Sequence, residues 1–172
     1  YAKPWRYRRC IFEGAKLIHF CSVGLVDSPS KKAHKKALEI AKEKGLIISF
    51  DVNLRINLYP SIKDCTNTVL RFMKYPNIVK LTDEELYVIL GAKTTEQGVK
   101  ILFNAYSNID IVFITLGDGG AICFDRDGNS IKVEAKKIDP IDTTGAGDMF
   151  CACYINYVLN NGLKIRINNH ID

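Results

Sequence analysis

The sequence lacks several features that would each define a class of protein. No apolar run approaches the roughly 20 residues that a membrane-spanning helix needs, and residues 1–10 contain no apolar signal core. Only 5 prolines and 12 glycines occur among 172 residues, which excludes collagen-like and low-complexity chains. The composition, 47% hydrophobic and 25% charged, is instead typical of a packed globular protein. We therefore expect a soluble protein.

The spacing of a cysteine-based metal site is also missing. The six cysteines form no C-x-x-C pair, and only three histidines are present as further ligands. Most of the cysteines lie inside apolar runs, where a free thiol behaves as a small core residue. These features predict a reduced, cytoplasmic setting without a zinc site.

The net charge of +5 is unevenly distributed. Residues 1–44 contain 11 Lys or Arg against 4 Asp or Glu, whereas the rest of the chain contains 13 against 15. A nucleic-acid site would need such charges gathered around groups that read or stack on bases. A solvated helix face and a loose tail explain them better, so we expect no nucleic-acid partner. A basic interaction module built around residues 1–9 is a weaker alternative.

Short apolar runs alternate with helical patterns along the chain, and no repeat or linker divides it. This alternation predicts an α/β fold with a mostly parallel sheet, helices on both faces and a late antiparallel hairpin, within one domain spanning residues 1–172. The predicted strands are 17–20, 46–50, 77–81, 111–116, 121–124 and 130–134. The predicted helices are 30–44, 61–74, a short one capped by Thr82 and ended by Gly91, 94–106 and 146–160.

The most informative stretch is D-T-T-G-A-G-D at residues 142–148. Two glycines at a helix start let backbone N–H groups approach an anion, and the helix dipole favours negative charge there. Asp148 would place a carboxylate beside this anion hole, which suits the removal of a proton from a hydroxyl. Taken alone, a helix start with turn glycines and a favourable acidic residue explains the same pattern. Neither a dinucleotide fingerprint nor a P-loop is present.

The whole motif resembles the C-terminal signature of the PfkB, or ribokinase-like, family of carbohydrate kinases. Three further segments are similar, in order and spacing, to the fructokinase-like branch: D-x-N-x-R at 51–55, a lysine with an N-x-x-E-type segment at 79–86, and T-L-G-x-x-G at 115–120. Thr82 stands where asparagine or serine is common in that branch. The resemblance implies a three-layer αβα ribokinase-like fold and phosphorylation of a sugar hydroxyl by ATP, with fructose or a related ketose as substrate.

The resemblance also implies roles for the residues of the signature. Asp148 would be the general base that deprotonates the sugar hydroxyl. The backbone N–H groups of Gly145, Ala146 and Gly147 would stabilise the transferring phosphate. Asp142 would help to form a site for a monovalent cation such as K⁺.

The other three segments carry implied roles as well. Arg55 would face the phosphates or the sugar, a role suited to its planar donor fork, while Asp51 and Asn53 would shape the loop. Lys80 would serve the triphosphate, and Glu85 would belong to the water shell of its Mg²⁺. A loop ion pair between Asp51 and Arg55, and a helix-capping role for Glu85, stay open as simpler alternatives. The residues that would cradle the nucleotide are Thr115, Gly117 and Gly120.

The resemblance begins partway into the family's chain. The family's N-terminal sugar-binding and lid portion, and a further C-terminal part of the adenine pocket, have no counterpart here. Two outcomes follow: an active enzyme whose missing parts come from elsewhere or whose full gene is longer, or a folded but catalytically incompetent fragment. A sheet cut through its middle would expose an edge and apolar surface, which favours self-association. Ribose, 2-keto-3-deoxygluconate and nucleosides remain alternative substrates, and His19 and His34 are expected to be structural.

Overall fold

A six-stranded sheet lies at the centre of the protein, with its strands in chain order from one edge to the other. The computed structural model describes residues 9–137 and 142–162. The first four strands are parallel, and the last two are antiparallel. The predicted parallel sheet with a late hairpin is therefore confirmed. The strands are β1 (Leu17–Cys21), β2 (Ile47–Asp51), β3 (Ile78–Thr82), β4 (Ile111–Thr115), β5 (Ala121–Asp125) and β6 (Ser130–Val133).

Helices fill the connections between the strands. Three of them are capped by Ser61, Thr82 and Thr94. Each of these side-chain oxygens accepts a hydrogen bond from the backbone N–H of the residue three positions later. Gly91 ends one helix in the left-handed conformation, with φ of 64°. Each predicted element is present, and its ends differ from the prediction by no more than two residues. The helices are α1 (Pro29–Glu43), α2 (Ile62–Phe72), α3 (Asp83–Leu90), α4 (Thr95–Ala105) and α5 (Ala146–Asn161).

Alternating side chains of each strand point to opposite faces of the sheet, and the two faces are covered by different helices. One apolar cluster joins residues such as Phe50 and Val79 to α1, α2, α3 and α4. A second cluster joins Ile78, Phe113 and Cys123 to α5. Helices on both faces, as predicted, are therefore confirmed. The three-layer arrangement follows.

The face covered by α5 changes character from one side of the sheet to the other. Toward the hairpin it is apolar, with Phe113 and Cys123 buried. Toward β1 it carries His19, Ser49 and Lys80 instead. In the described part of the chain β1 pairs with β2 alone. None of the described helices is long and apolar enough to cross a membrane.

The described core contains free thiols. Cys65, Cys123 and Cys151 are buried and form no disulfide with any described residue. Burial raises the pKa of Cys123 to about 12 and that of Cys151 to about 11. These cysteines therefore stay protonated and serve as core residues, as the apolar runs around them predicted.

Candidate functional site

A buried ion pair lies at the carboxyl ends of β2 and β3. The parallel register places Asp51 directly beside Lys80, with both side chains on the face that α5 covers. The Lys80 Nζ atom is 3.1 Å from Asp51 Oδ1, and the two side chains are only 7% and 4% exposed. Among the described residues no donor makes a well-directed hydrogen bond to Asp51 Oδ1, so the charge of the Lys80 ammonium group is what compensates its burial. Charges this deeply buried have to be paired, and the pair fixes where the lysine lies.

The N-terminus of α5 lies directly over this lysine. A Cβ atom added at Gly147 would be 3.3 Å from Lys80 Nζ, so the helix backbone and the ammonium group nearly touch. The helix starts after Gly145, which has a left-handed φ of 82°. Both a helix N-terminus and an ammonium ion are positive, so their proximity is unfavourable unless an anion is nearby. Asp51 offsets part of this repulsion, and a phosphate group would offset the rest.

Asp148 lies in the first turn of α5 and is exposed to solvent. Asp142, at the start of the same motif, accepts a hydrogen bond from Thr144 N at 2.7 Å. Hydrogen bonds from the side chain and backbone of Thr144 lower the pKa of Asp142, which therefore stays ionised. The motif thus presents two carboxylates around the N-terminus of α5. One can accept a proton, and the other is fixed by the turn before the helix.

The loop after β2 has a constrained backbone. Asn53 has a φ of 38°, the one described residue other than glycine in the left-handed region. Ser22, fully buried after β1, donates a hydrogen bond from Oγ to the carbonyl oxygen of Asn53 at 2.8 Å. The Tyr59 hydroxyl in turn donates to the carbonyl oxygen of Ser22 at 3.0 Å. Such strain persists only where surrounding contacts hold it, and these contacts hold the segment that leads to Arg55.

Glu85 holds the same loop from its other side. Its Oε1 atom accepts a hydrogen bond from Leu54 N at 2.6 Å, and its Oε2 atom accepts one from Thr82 N at 2.9 Å. Thr82 Oγ1 accepts from Glu85 N at 3.0 Å, which completes the capping box expected from the sequence. The carboxylate therefore joins the start of α3 to the loop of Asn53 and Arg55. Its contribution to a magnesium shell stays a prediction.

We expect the Glu85→Gln substitution to loosen this loop. A glutamine side chain has one acceptor oxygen, so one of the two backbone N–H groups loses its partner. Leaving such a group unsatisfied should lower the free energy of unfolding by about 1–3 kcal/mol. Chemical denaturation measures this loss. Glu84→Gln, a neighbouring exposed residue in the same helical turn, is the matched control. Equal stability of the two variants would contradict the clamping role of Glu85.

The predicted nucleotide loop connects β4 to β5 at the same edge of the sheet. Thr115 is the register partner of Thr82, so this loop begins one strand away from the strand of Lys80. Gly117 has a φ of 60° and open space around it. Gly120 has a φ of 90°, and a Cβ atom there would lie 2.0 Å from the carbonyl oxygen of Val133. The chain therefore requires glycine at 120 for packing against β6, whatever else that residue binds.

The structure brings some of the predicted residues into contact and leaves others at the rim. Asp51, Lys80 and Gly147 form one cluster. Asn53 is held by its hydrogen bond from Ser22 after β1, and the next residue, Leu54, by its hydrogen bond to Glu85. Arg55 is exposed at the end of the clamped loop. Sequence reasoning missed Ser22 and Tyr59. The only signal for Ser22 was its position directly after a strand that ends at the functional edge.

Known proteins resemble the chain in sequence and in fold. The model of the pfkB family of carbohydrate kinases matches residues 2–166. Probable fructokinase-2 of Arabidopsis thaliana is 32% identical over 151 residues, which cover 88% of this chain and 45% of that protein. Fructokinase-1 of Oryza sativa subsp. japonica is 32% identical over 156 residues, covering 91% and 48%. The chain therefore spans a little under half the length of these relatives.

Solved structures share the fold as well. The fructokinase of Vibrio cholerae O395, crystallised with fructose, ADP and calcium, is 32% identical with a TM-score of 0.76, covering 84% of this chain and 46% of that one. The aminoimidazole riboside kinase of Salmonella enterica, crystallised with aminoimidazole riboside and an ATP analogue, is 27% identical with a TM-score of 0.72. That match covers 91% of this chain and 50% of the kinase.

Proposed function

The chain belongs to the pfkB family of carbohydrate kinases, and on that premise we propose that it transfers the γ-phosphate of ATP to a hydroxyl group of fructose or a related ketose. One observation carries the proposal. Lys80 Nζ lies against the Gly147 backbone at the N-terminus of α5, over the buried carboxylate of Asp51. This cluster concentrates positive potential where phosphate charge would develop, beside a carboxylate that can accept a proton. Residues 1–172 would form one part of the catalytic domain.

Asp148 is the general base of the proposed reaction. Its carboxylate accepts the proton of the sugar hydroxyl, and the oxygen of that hydroxyl forms a bond to the γ-phosphorus of ATP. The bond from that phosphorus to the bridging oxygen breaks, and ADP leaves. The N–H groups of Gly145 and Gly147, together with Lys80, stabilise the spread negative charge of the phosphoryl group. The Ala146 N–H donates to the carbonyl oxygen of Thr143 at 3.2 Å, so it would have to leave that bond to join them.

Other residues position the partners in this proposal. Arg55, at the end of the loop that Asn53 and Asp51 shape, faces the phosphates or the sugar with its planar donor fork. The loop after β4 receives the nucleotide, because its glycines permit close approach of the backbone. The nucleotide-binding residues of that loop are Thr115, Gly117 and Gly120.

The two cations of the proposal have suitable ligands. Mg²⁺ is commonly held by one or two carboxylates, water and the substrate's own phosphates, and Glu85 would be such a carboxylate through water. Among the described residues no group of three or more His, Cys, Asp or Glu could hold a metal ion. The bound ion would supply neutralisation of phosphate charge. Asp142, ionised at neutral pH, would contribute to a K⁺ site.

Two alternatives stand beside this proposal. The similarity to aminoimidazole riboside kinase supports a riboside as an alternative to a ketose, and ribose, 2-keto-3-deoxygluconate and nucleosides remain further alternative substrates. A folded chain without activity is the second alternative. Exposed apolar side chains on α5, including Met149 at 67% and Tyr157 at 48%, support self-association. The basic segment 1–8 lies outside the described residues.

A substrate panel tests the proposed function. The complete gene product is incubated with ATP, Mg²⁺ and each of fructose, ribose, 2-keto-3-deoxygluconate and a nucleoside, while ADP release and the sugar phosphate are measured. We expect fructose to give the highest kcat/KM, and EDTA to abolish transfer because free ATP is poorly neutralised. The Asp148→Asn protein, purified in parallel, controls for contaminating kinases. ATP binding without phosphorylation of any sugar would contradict the proposal and favour a folded protein without kinase activity.

A further inference from the structure

A chain of hydrogen bonds crosses the sheet beneath α5 and is not used by the proposed reaction. His19 Nδ1 lies 2.9 Å from Ser49 Oγ, and Ser49 Oγ lies 2.7 Å from the hydroxyl oxygen of Tyr154. Ser49 is fully buried, and Tyr154 is 6% exposed. The three residues belong to β1, β2 and α5. These hydrogen bonds therefore tie the helix that carries Asp148 to the two strands beside the functional edge.

The Tyr154 hydroxyl makes its polar contact at the border of the apolar part of the interface between α5 and the sheet. The Tyr154 ring stacks on Phe113 with centroids 4.7 Å apart, and it meets Phe150 edge-on at 5.9 Å. Ile78 and Val158 belong to the same apolar cluster. Apolar contacts are not directional, so they hold α5 against the sheet without fixing its rotation or its position along its axis. A short hydrogen bond between two buried hydroxyl groups supplies that direction.

The position of α5 matters because its first turn is closely fitted to Lys80. The Gly147 backbone lies so near the ammonium group that a Cβ atom would be 3.3 Å from it. A small slide or rotation of the helix would move this backbone away from Lys80 and would also displace Asp148. A displacement of about 1 Å at reacting groups can lower a rate by about 100-fold.

The two residues at the ends of this set of hydrogen bonds, Tyr154 and His19, are both uncharged. Burial raises the pKa of Tyr154, so its hydroxyl keeps its proton. Removal from solvent lowers the pKa of His19, an effect that Asp51 and Asp148 oppose and Lys80 reinforces. A neutral imidazole offers one donor or one acceptor at Nδ1, and the single proton of Ser49 allows its oxygen to donate once while it accepts once. Both bonds at Ser49 can therefore form together.

We propose that Tyr154, through its hydrogen bond to Ser49, is a positioning residue that fixes α5 on the sheet and thereby places Gly147 and Asp148 for phosphoryl transfer. The catalytic part of this inference rests on the proposed function. The structural part does not, because the position of the helix can be measured without any substrate.

The test compares Tyr154→Phe with Tyr157→Phe in the complete gene product. Both substitutions remove one hydroxyl from α5, but Tyr157 is 48% exposed and serves as the control. We expect amide hydrogen exchange in residues 145–150 to become several-fold faster in Tyr154→Phe alone. We also expect kcat of that variant to fall by about 10-fold to 100-fold while the KM values for sugar and ATP stay nearly constant. Control-like exchange and kcat would overturn the proposal.

A second variant guards against a general loss of folding. Ser49→Ala removes the partner hydroxyl, so it should reproduce the faster exchange at residues 145–150. Combining it with Tyr154→Phe should add little, because both changes remove the same bond. Fully additive effects would overturn the inference. If the wild-type protein phosphorylates no sugar, the proposed function fails, and the hydrogen-exchange comparison still decides whether Tyr154 positions the helix.

Discussion

The Asp148→Asn protein should bind ATP and sugar normally and transfer phosphate at least about 100-fold more slowly than the wild type. Asparagine is nearly isosteric with aspartate, but it cannot accept a proton from the sugar hydroxyl. The residue lies exposed in the first turn of α5, so the substitution removes no buried contact. We therefore expect the loss to appear in kcat, with little change in the free energy of unfolding.

The measurement is steady-state kinetics with the preferred sugar, together with calorimetric titration of ATP. Asp127→Asn, a change of the same kind at an exposed turn of the hairpin, is the control and should keep wild-type kcat. Near-normal turnover of Asp148→Asn would show that another group accepts the proton. Weaker ATP binding with unchanged kcat would instead assign Asp148 to nucleotide recognition.

The second large effect is expected at Asp51. Replacing Asp51 by asparagine leaves Lys80 buried at 7% side-chain exposure, next to a helix N-terminus and without its counter-charge. Removal of one member of a buried ion pair typically lowers the free energy of unfolding by about 3–5 kcal/mol. We expect a loss of this size in urea denaturation. The double variant Asp51→Asn with Lys80→Met should recover much of it, because no charge then remains unpaired.

An exposed ion pair elsewhere in the chain gives the matched control. Lys35 Nζ lies 3.9 Å from Glu39 Oε1 on α1, with side chains 60% and 38% exposed. Glu39→Gln should therefore change stability by no more than about 1 kcal/mol. If Asp51→Asn were equally harmless, the pair at the functional edge would have to be hydrated rather than buried. A buried charged cluster beneath α5 would then be excluded.

The sequence predicted the elements well because their signals are local. Thr82 and Glu85 form a capping box within one turn, and Gly91 ends the same helix with a positive φ. The signature at 142–148 likewise contains its own glycines and its own carboxylates. A motif whose residues act together within one turn can be recognised without knowledge of the rest of the fold.

The contacts of Glu85 illustrate what local signals leave out. The capping box was visible in the sequence, but the bond from Leu54 N to Glu85 joins residues 31 positions apart. The sequence predicts a structural role for His19, but it contains no signal that His19 bonds to Ser49 or that Ser49 bonds to Tyr154. The bond between Ser49 and Tyr154 spans 105 positions. Only the packing of α5 across the sheet creates it.

By itself, the sequence determined the order of strands and helices, the parallel sheet with its terminal hairpin and the segments that meet at one edge. These follow from periodicity, caps and glycines, which act over a few residues. The tertiary structure decided that Lys80 pairs with Asp51 beneath Gly147 and that Tyr154 reaches Ser49. Those contacts depend on strand register and helix position, which are set by the packing of the whole sheet and not by any single segment.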